Sequence, residues 1–219
     1  MSELSLVIGN KAYSSWSLRP WLAMRTVGLS FREELVRLSE PGSREALLRH
    51  SPAGRVPVLK HGDCVVWDSL AILEYLHEIA PDAGLWPAEP RARAHARSVS
   101  AEMHSSFQAL RNGMPMNLRR SLPGRGRSIA GVAEDIARVT EIWRDCRRRC
   151  GGAGPFLFGA FTSADAMYAP VATRFRTYAV ELDATSQAYA DAVLGLPAFA
   201  EWQAAALDER WIIAEDEVD

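Results

Sequence analysis

Apolar positions in the first eighty residues switch repeatedly between a strand-like and a helix-like period. Leu4-Ser-Leu-Val-Ile-Gly9 is a short β-rich run closed by Gly9 and Asn10. Arg19 to Val27 carries Trp21, Leu22, Met24 and Val27 at helical spacing, with Gly28 as a fitting stop. Phe31 to Leu38 alternates like a second strand, and Ser43 to His50 reads as a short helix. Val56 to Lys60 and Cys64 to Trp67 are two further strands, joined by the hairpin-like turn His61-Gly62-Asp63. Ser69 to Ile79 closes the series as a helix with an apolar stripe of Leu70, Leu73, Tyr75 and Leu76. A parallel first pair needs a helical crossover, and the last two strands pair antiparallel, so the pattern predicts a small α/β sheet domain.

Pro81, Gly84, Pro87 and Pro90 then interrupt any regular element, which marks a linker. Beyond it the strand signals nearly vanish. Arg91 to Gln108, Ile129 to Arg149, Ala164 to Ala179 and Pro197 to Leu207 all read as helices. The expected class is therefore α/β plus all-α: a sheet domain over residues 1–80, a linker over 81–90 and an all-helical domain over 91–219. No internal repeat or low-complexity tract breaks this plan.

Composition narrows the function. With 48% apolar and 24% charged residues among 219, the chain matches an ordinary globular protein. A net charge of −2 gives no footprint of nucleic-acid or membrane binding. No stretch approaches the ~18 apolar residues of a membrane span, and residues 1–8 lack a signal-peptide pattern, so a cytoplasmic location is expected. Cys64, Cys146 and Cys150 are an odd set for disulfides. Cys146 and Cys150 share a helix face but have no nearby His or Cys pair, so no metal site is expected.

Chemistry concentrates where the first strand meets the first helix. Tyr13-Ser14-Ser15-Trp16-Ser17-Leu18-Arg19-Pro20 places three serines at a helix start, where Ser is a favoured cap. The same place favours a bound anion, including a thiolate, through free N–H groups and the helix dipole. Pro57 at the head of a strand cannot donate to a ladder, which points to an edge or ligand-facing position. Asp68-Ser69 stands between a strand and a helix. Ser69 there is either only a cap or, with Asp68, the holder of a charged ligand group.

Taken together, Ser14-Ser15-Trp16-Ser17 with Arg19, then Arg55-Val56-Pro57, then Asp68-Ser69-Leu70-Ala71-Ile72 and Tyr75-Leu76, resemble the amino-terminal domain of glutathione transferases. Phe161-Thr162-Ser163-Ala164-Asp165 is similar to the family's helix-capping segment, in which Asp165 reaches back to the Thr162 N–H. The resemblance implies a thioredoxin-like βαβαββα domain, a cis Val56–Pro57 bond, and glutathione as co-substrate without a metal. Arg55, Val56, Pro57, Asp68 and Ser69 would then contact glutathione, and Ser14 or Ser15 would activate its thiol. Tyr13 is a rival donor. It also implies a homodimer, with the small domain of one subunit against the helical domain of the other.

Within the family the chain looks most like the zeta class, which includes maleylacetoacetate isomerase. Two positions depart from that class. Trp16 stands where it has Cys, and Thr177 stands at its substrate-binding arginine, with Arg174 and Arg176 close by. Trp16, His104, Phe107, Arg111 and Arg174 are the expected second-substrate residues. His104, Phe107 and Arg111 lie at i, i+3 and i+7, a common face of one long helix. Arg119 to Arg127 reads as a solvated arginine-rich loop, or more weakly as a lure for acidic substrates.

The energetics need only one donor. A thiol of pKa ~8.5 is half ionised at pH 7 after a shift of ~1.5 units, about 2 kcal/mol. A hydrogen bond to a charged group supplies ~1.5–3 kcal/mol. The leading expectation is a glutathione transferase acting on a small electrophile. A glutathione-dependent cis–trans isomerase and a non-catalytic binding module are the alternatives. A thiol–disulfide oxidoreductase would need a cysteine at the first helix start, where the chain has serines and Trp16.

Overall fold

In the computed structural model, residues 3–218 are described. The sheet is built from β1 (Leu4–Ile8), β2 (Arg32–Leu35), β3 (Val58–His61) and β4 (Cys64–Trp67), in the spatial order β2-β1-β3-β4. β1 and β2 run parallel, with Leu6 opposite Glu33, while β3 is antiparallel to both β1 and β4. The crossover between β1 and β2 is α1 (Ser15–Thr26), α2 (Ser43–Leu48) follows β2, and α3 (Ser69–Ile79) follows β4. The βαβαββα order expected from the sequence is present.

Strand and helix limits differ from the sequence reading in instructive places. α1 starts a turn earlier than Arg19, because Ser14 caps it and the helix runs through Pro20. β3 starts only after Pro57, which has no N–H to give to a ladder; the Val56–Pro57 bond is cis, as the resemblance implied. At α3 the capping residue is Asp68, not Ser69: its carboxylate accepts the Leu70 N–H at 2.8 Å, and its φ is +76°. A positive φ at a non-glycine residue costs energy that the surroundings must hold.

Beyond the sheet domain the regular elements of the described chain are helices, apart from two isolated bridges near residue 158: α4 (Pro90–Ser105), α5 (Gln108–Gly113), α6 (Val132–Cys150), α7 (Ser163–Thr177), α8 (Ala184–Leu194) and α9 (Pro197–Asp208). One helix was expected over Arg91 to Gln108, but α4 stops at Ser105 and Phe107 adopts φ +62°, so α5 leaves in a new direction. Arg111 secures the break by donating to the carbonyls of Met103 (2.8 Å), His104 (3.0 Å) and Ser106. This is the familiar favourable placement of a cation at a helix C-terminus. His104, Phe107 and Arg111 therefore do not share one helical face. Phe107 is buried in the core, and only the other two turn toward the site.

α7 is the central helix, with fourteen of its fifteen residues buried. Its start is a capping box in which the Asp165 carboxylate accepts the Thr162 N–H at 2.8 Å and the Leu157 N–H at 3.0 Å. α1 lies against α7 on one side and α9 on another, where Trp21 and Trp202 meet edge to face at 5.0 Å. Apolar residues of both halves join one core, including Leu6 and Leu22 with Trp143 and Phe175.

Candidate active site

Two cavities meet at the N-terminus of α1. The first, of about 360 Å³, is lined by Trp16, Ala53, Arg55, Val56, Pro57, Trp67, Asp68 and Ser69. All five residues expected to contact glutathione therefore face one space. The second, of about 420 Å³, has Tyr13, Ser14, Ser15, Arg111 and Arg174 in its wall. Trp16, Arg55 and Val56 belong to both. A group bound where they join would sit beside the serine pair.

The two hydroxyls differ. Ser14 Oγ lies 2.8 Å from Ser17 Oγ, to which it donates, and accepts weakly from the Ser17 N–H at 3.4 Å. Ser17 Oγ in turn accepts the Gly9 N–H at 3.0 Å. A hydroxyl proton rotates freely, so if Ser17 donated to Ser14 instead, the Ser14 proton would be released toward a ligand. Ser15 Oγ accepts from Arg174 Nη2 at 3.4 Å, which leaves its proton uncommitted. Tyr13, the rival donor, is already engaged. Its hydroxyl donates to Glu217 Oε1 at 2.5 Å and accepts from Arg119, and burial pushes its pKa up.

Arg19 emerges as a site residue that the motif contained but the sequence did not assign a role. Its guanidinium is fully buried, donates to Ser69 Oγ at 3.3 Å, and stacks 4.1 Å from the Trp16 ring. Its Nε has no partner, and burial together with Arg111 and Arg174 lowers its pKa to about 9. An under-paired buried cation behind Ser69 suits a ligand carboxylate. Across the site, His104 Nε2 stands 3.2 Å from Asp68 Oδ2 and meets Trp16 edge to face at 5.2 Å. Burial lowers the His104 pKa more than Asp68 raises it.

Thr177, which stands at the zeta-class arginine position, and the expected stand-ins Arg174 and Arg176 separate cleanly. Thr177 donates to the Asn117 carbonyl at 3.1 Å and faces the interior. Arg176 reaches Gln203 at 3.2 Å on the far side. Arg174 alone of the three lines the second cavity, held by the carbonyls of Met114 (2.8 Å) and Pro170 (3.2 Å). Its burial lowers its pKa to about 10.

The second cavity has a wall the sequence did not foretell. Residues 209–218 return across the sheet domain as a strap. The Glu209 carboxylate accepts the N–H groups of Lys11 (2.6 Å) and Ala12 (3.0 Å). Arg119 donates to the carbonyls of Glu209 (2.7 Å) and Trp211 (3.1 Å), while Asn117 and Arg120 each bind Glu217 at 2.8 Å. Arg119 and Arg120, expected in a solvated loop, are thus the anchors of the strap, and Ile213 and Asp216 become part of the cavity wall. Among the described residues no cluster suited to a metal ion is found, and no helix is long and apolar enough to cross a membrane. Cys146 is buried with its thiol pushed up to about 12 by desolvation, which fits packing rather than chemistry.

Comparison with known proteins bears on the family and the fold. Residues 13–79 match the glutathione S-transferase N-terminal domain and residues 129–205 the C-terminal domain. A probable maleylacetoacetate isomerase of Caenorhabditis elegans is 38% identical over 98 residues, 45% of either chain. The maleylacetoacetate isomerase of Pseudomonas aeruginosa is 29% identical over 86% of this chain and 90% of its own length. The chain spans about half the length of several other curated relatives it matches. Among solved structures, a glutathione transferase homologue from Burkholderia gl BGR1, with bound glutathione, superposes with a TM-score of 0.69 at 21% identity, over 94% of this chain and all of that one. With both family domains in order along one polypeptide, and the fold to match, the chain belongs to the glutathione S-transferase family.

Proposed function

We propose that the protein binds glutathione in the first cavity, ionises its thiol at the start of α1, and directs the thiolate at a small electrophile in the second. The observation that carries this reading is the junction itself: Trp16 belongs to both cavities, and Ser14 and Ser15, its neighbours in the chain, line the second. Arg19 behind Ser69 and the strained Asp68 supply charge for the γ-glutamyl end, and Val56 offers its backbone to the cysteinyl part. Ser14 is the leading thiol donor, with Ser17 behind it, and Ser15 is the alternative. One such hydrogen bond and the α1 dipole together lower the thiol pKa enough for attack at neutral pH. Calorimetry is the test. Glutathione should bind the wild-type protein and bind Asp68→Ala at least tenfold more weakly. An absence of heat at millimolar glutathione, together with an unchanged Asp68→Ala, sinks the reading.

A second reading is favoured by Arg174. Its place in the second cavity, near Arg111 and Ser15, suits the carboxylate of an acid such as maleylacetoacetate, so glutathione-dependent isomerisation is the variant to assay beside conjugation. The three free cysteines suit a reducing cytoplasm. A homodimer with the family's cross-domain contact is expected in solution. Sedimentation that finds only a 24.2 kDa species at micromolar concentration would remove it.

A further inference from the structure

The strap brings a carboxylate to a cavity otherwise dominated by cations. Asp216 closes α7's side of the second cavity on a single turn of 3-10 helix, Ala214–Asp216, and lines the same space as Ser15 and Arg174. Its position is fixed from both sides. Upstream, Glu209 and Trp211 are tied to Lys11, Ala12 and Arg119; downstream, Glu217 is tied to Asn117 and Arg120. Arg174 spends its hydrogen bonds on neutral oxygens, those of Met114, Pro170 and Ser15. Among the described residues no carboxylate touches it, and Asp216 is the acidic side chain in the wall it shares.

We infer that Asp216 is a specificity-determining residue of the second cavity, one that holds off electrophiles carrying a negative charge near Arg174. The inference rests on the glutathione-conjugation reading above and deepens it, and it counts against the acid-isomerising variant. An anion that approaches Arg174 gains its attraction but meets the Asp216 charge in the same partly desolvated space, where like charges repel by far more than in water. A neutral electrophile feels neither. The selectivity of the cavity is therefore set by the strap, a segment nearly two hundred residues from the serine pair.

The state of Asp216 makes this dependent on pH. Burial pushes its carboxyl up to about 6, aided by Glu215 and Glu217 on the strap and opposed by Arg174. The other charged side chains at the wall are Arg55 and Arg111, and burial raises the pKa of Tyr13 beside them. Below the Asp216 pKa the repulsion disappears, so anions should be better accepted at lower pH.

The test uses two product-like probes, S-benzylglutathione and S-(carboxybenzyl)glutathione. They differ by one carboxylate placed in the second cavity, and neither has a thiol to ionise. His104 and Asp68 act on the part that both probes share, so the ratio of the two affinities isolates the cavity. In Asp216→Asn at about pH 8, affinity for the carboxylate probe relative to the neutral one should rise about tenfold. In the wild-type protein the same ratio should rise as pH falls from about 8 to about 5.5, and in Asp216→Asn it should stay flat. Asp216→Ser gives the same reading should asparagine disturb the strap. A ratio that is unchanged, or lower, in both variants overturns the inference while leaving glutathione binding intact. Failure of the wild-type protein to bind either probe removes the glutathione reading, and this inference with it.

Discussion

Ser14 and Ser15 offer a thiolate two different donors one residue apart. Ser14 can present its proton only when Ser17 turns its own toward it, whereas Ser15 is polarised from behind by Arg174. The expectation is that Ser14→Ala lowers turnover tenfold to a hundredfold, the range of one charge-assisted hydrogen bond. Glutathione affinity should hardly change, and the ultraviolet thiolate band should titrate at higher pH. If Ser15→Ala gives that result and Ser14→Ala does not, the donor is Ser15. If neither moves the band, the serine assignment fails. These residues were legible in the sequence because Ser14, Ser15, Ser17 and Arg19 fall within one short stretch at a helix start. Tyr13 was legible only as a tyrosine near the serines. Nothing in its neighbourhood announces Glu217, 204 positions away, which accepts its hydrogen bond.

At the scale of elements, local signals succeeded where the chemistry is local. The Thr162–Asp165 box was readable from four consecutive residues, and it also gathers the Leu157 N–H, which was not. Replacing Asp165 by Ala would strand those buried donors, and a loss of about 3 kcal/mol in denaturant unfolding is expected. A loss below about 1 kcal/mol would mean that water takes the carboxylate's place. Burial holds the Asp165 pKa at about 6, above the ~3.9 of an unfolded aspartate. The folded state therefore binds the extra proton in that window. Stability contributed by this group falls as pH rises through it, a slope the alanine variant should lack. The break between α4 and α5 was hidden, because no Gly or Pro marks it; a phenylalanine holds the left-handed backbone while Arg111 collects the freed carbonyls. α5 has only six residues, too few for a periodic pattern, and α8 alternates alanines with polar residues, which blurs its stripe.

Across the whole molecule, the sequence separates two halves that packing joins. Trp202 of α9 donates to the Lys11 carbonyl at 3.0 Å, the Leu118 N–H reaches the Ala12 carbonyl at 3.1 Å, and one apolar core runs beneath the site. Sheet and helices should therefore unfold together. Tryptophan emission and far-ultraviolet circular dichroism are expected to give coincident denaturant transitions, and two separated midpoints would contradict a shared core. The wall formed by Trp16, Arg55 and Val56 has a consequence for binding order. A molecule settling in either cavity changes the surface offered to the other, so the two occupancies are energetically linked. Linkage works equally in both directions: if glutathione improves the electrophile's equilibrium affinity by some factor, the electrophile improves glutathione's by that same factor. A sequence of addition seen in kinetics would then express relative rates and concentrations, since neither partner is thermodynamically obliged to arrive first.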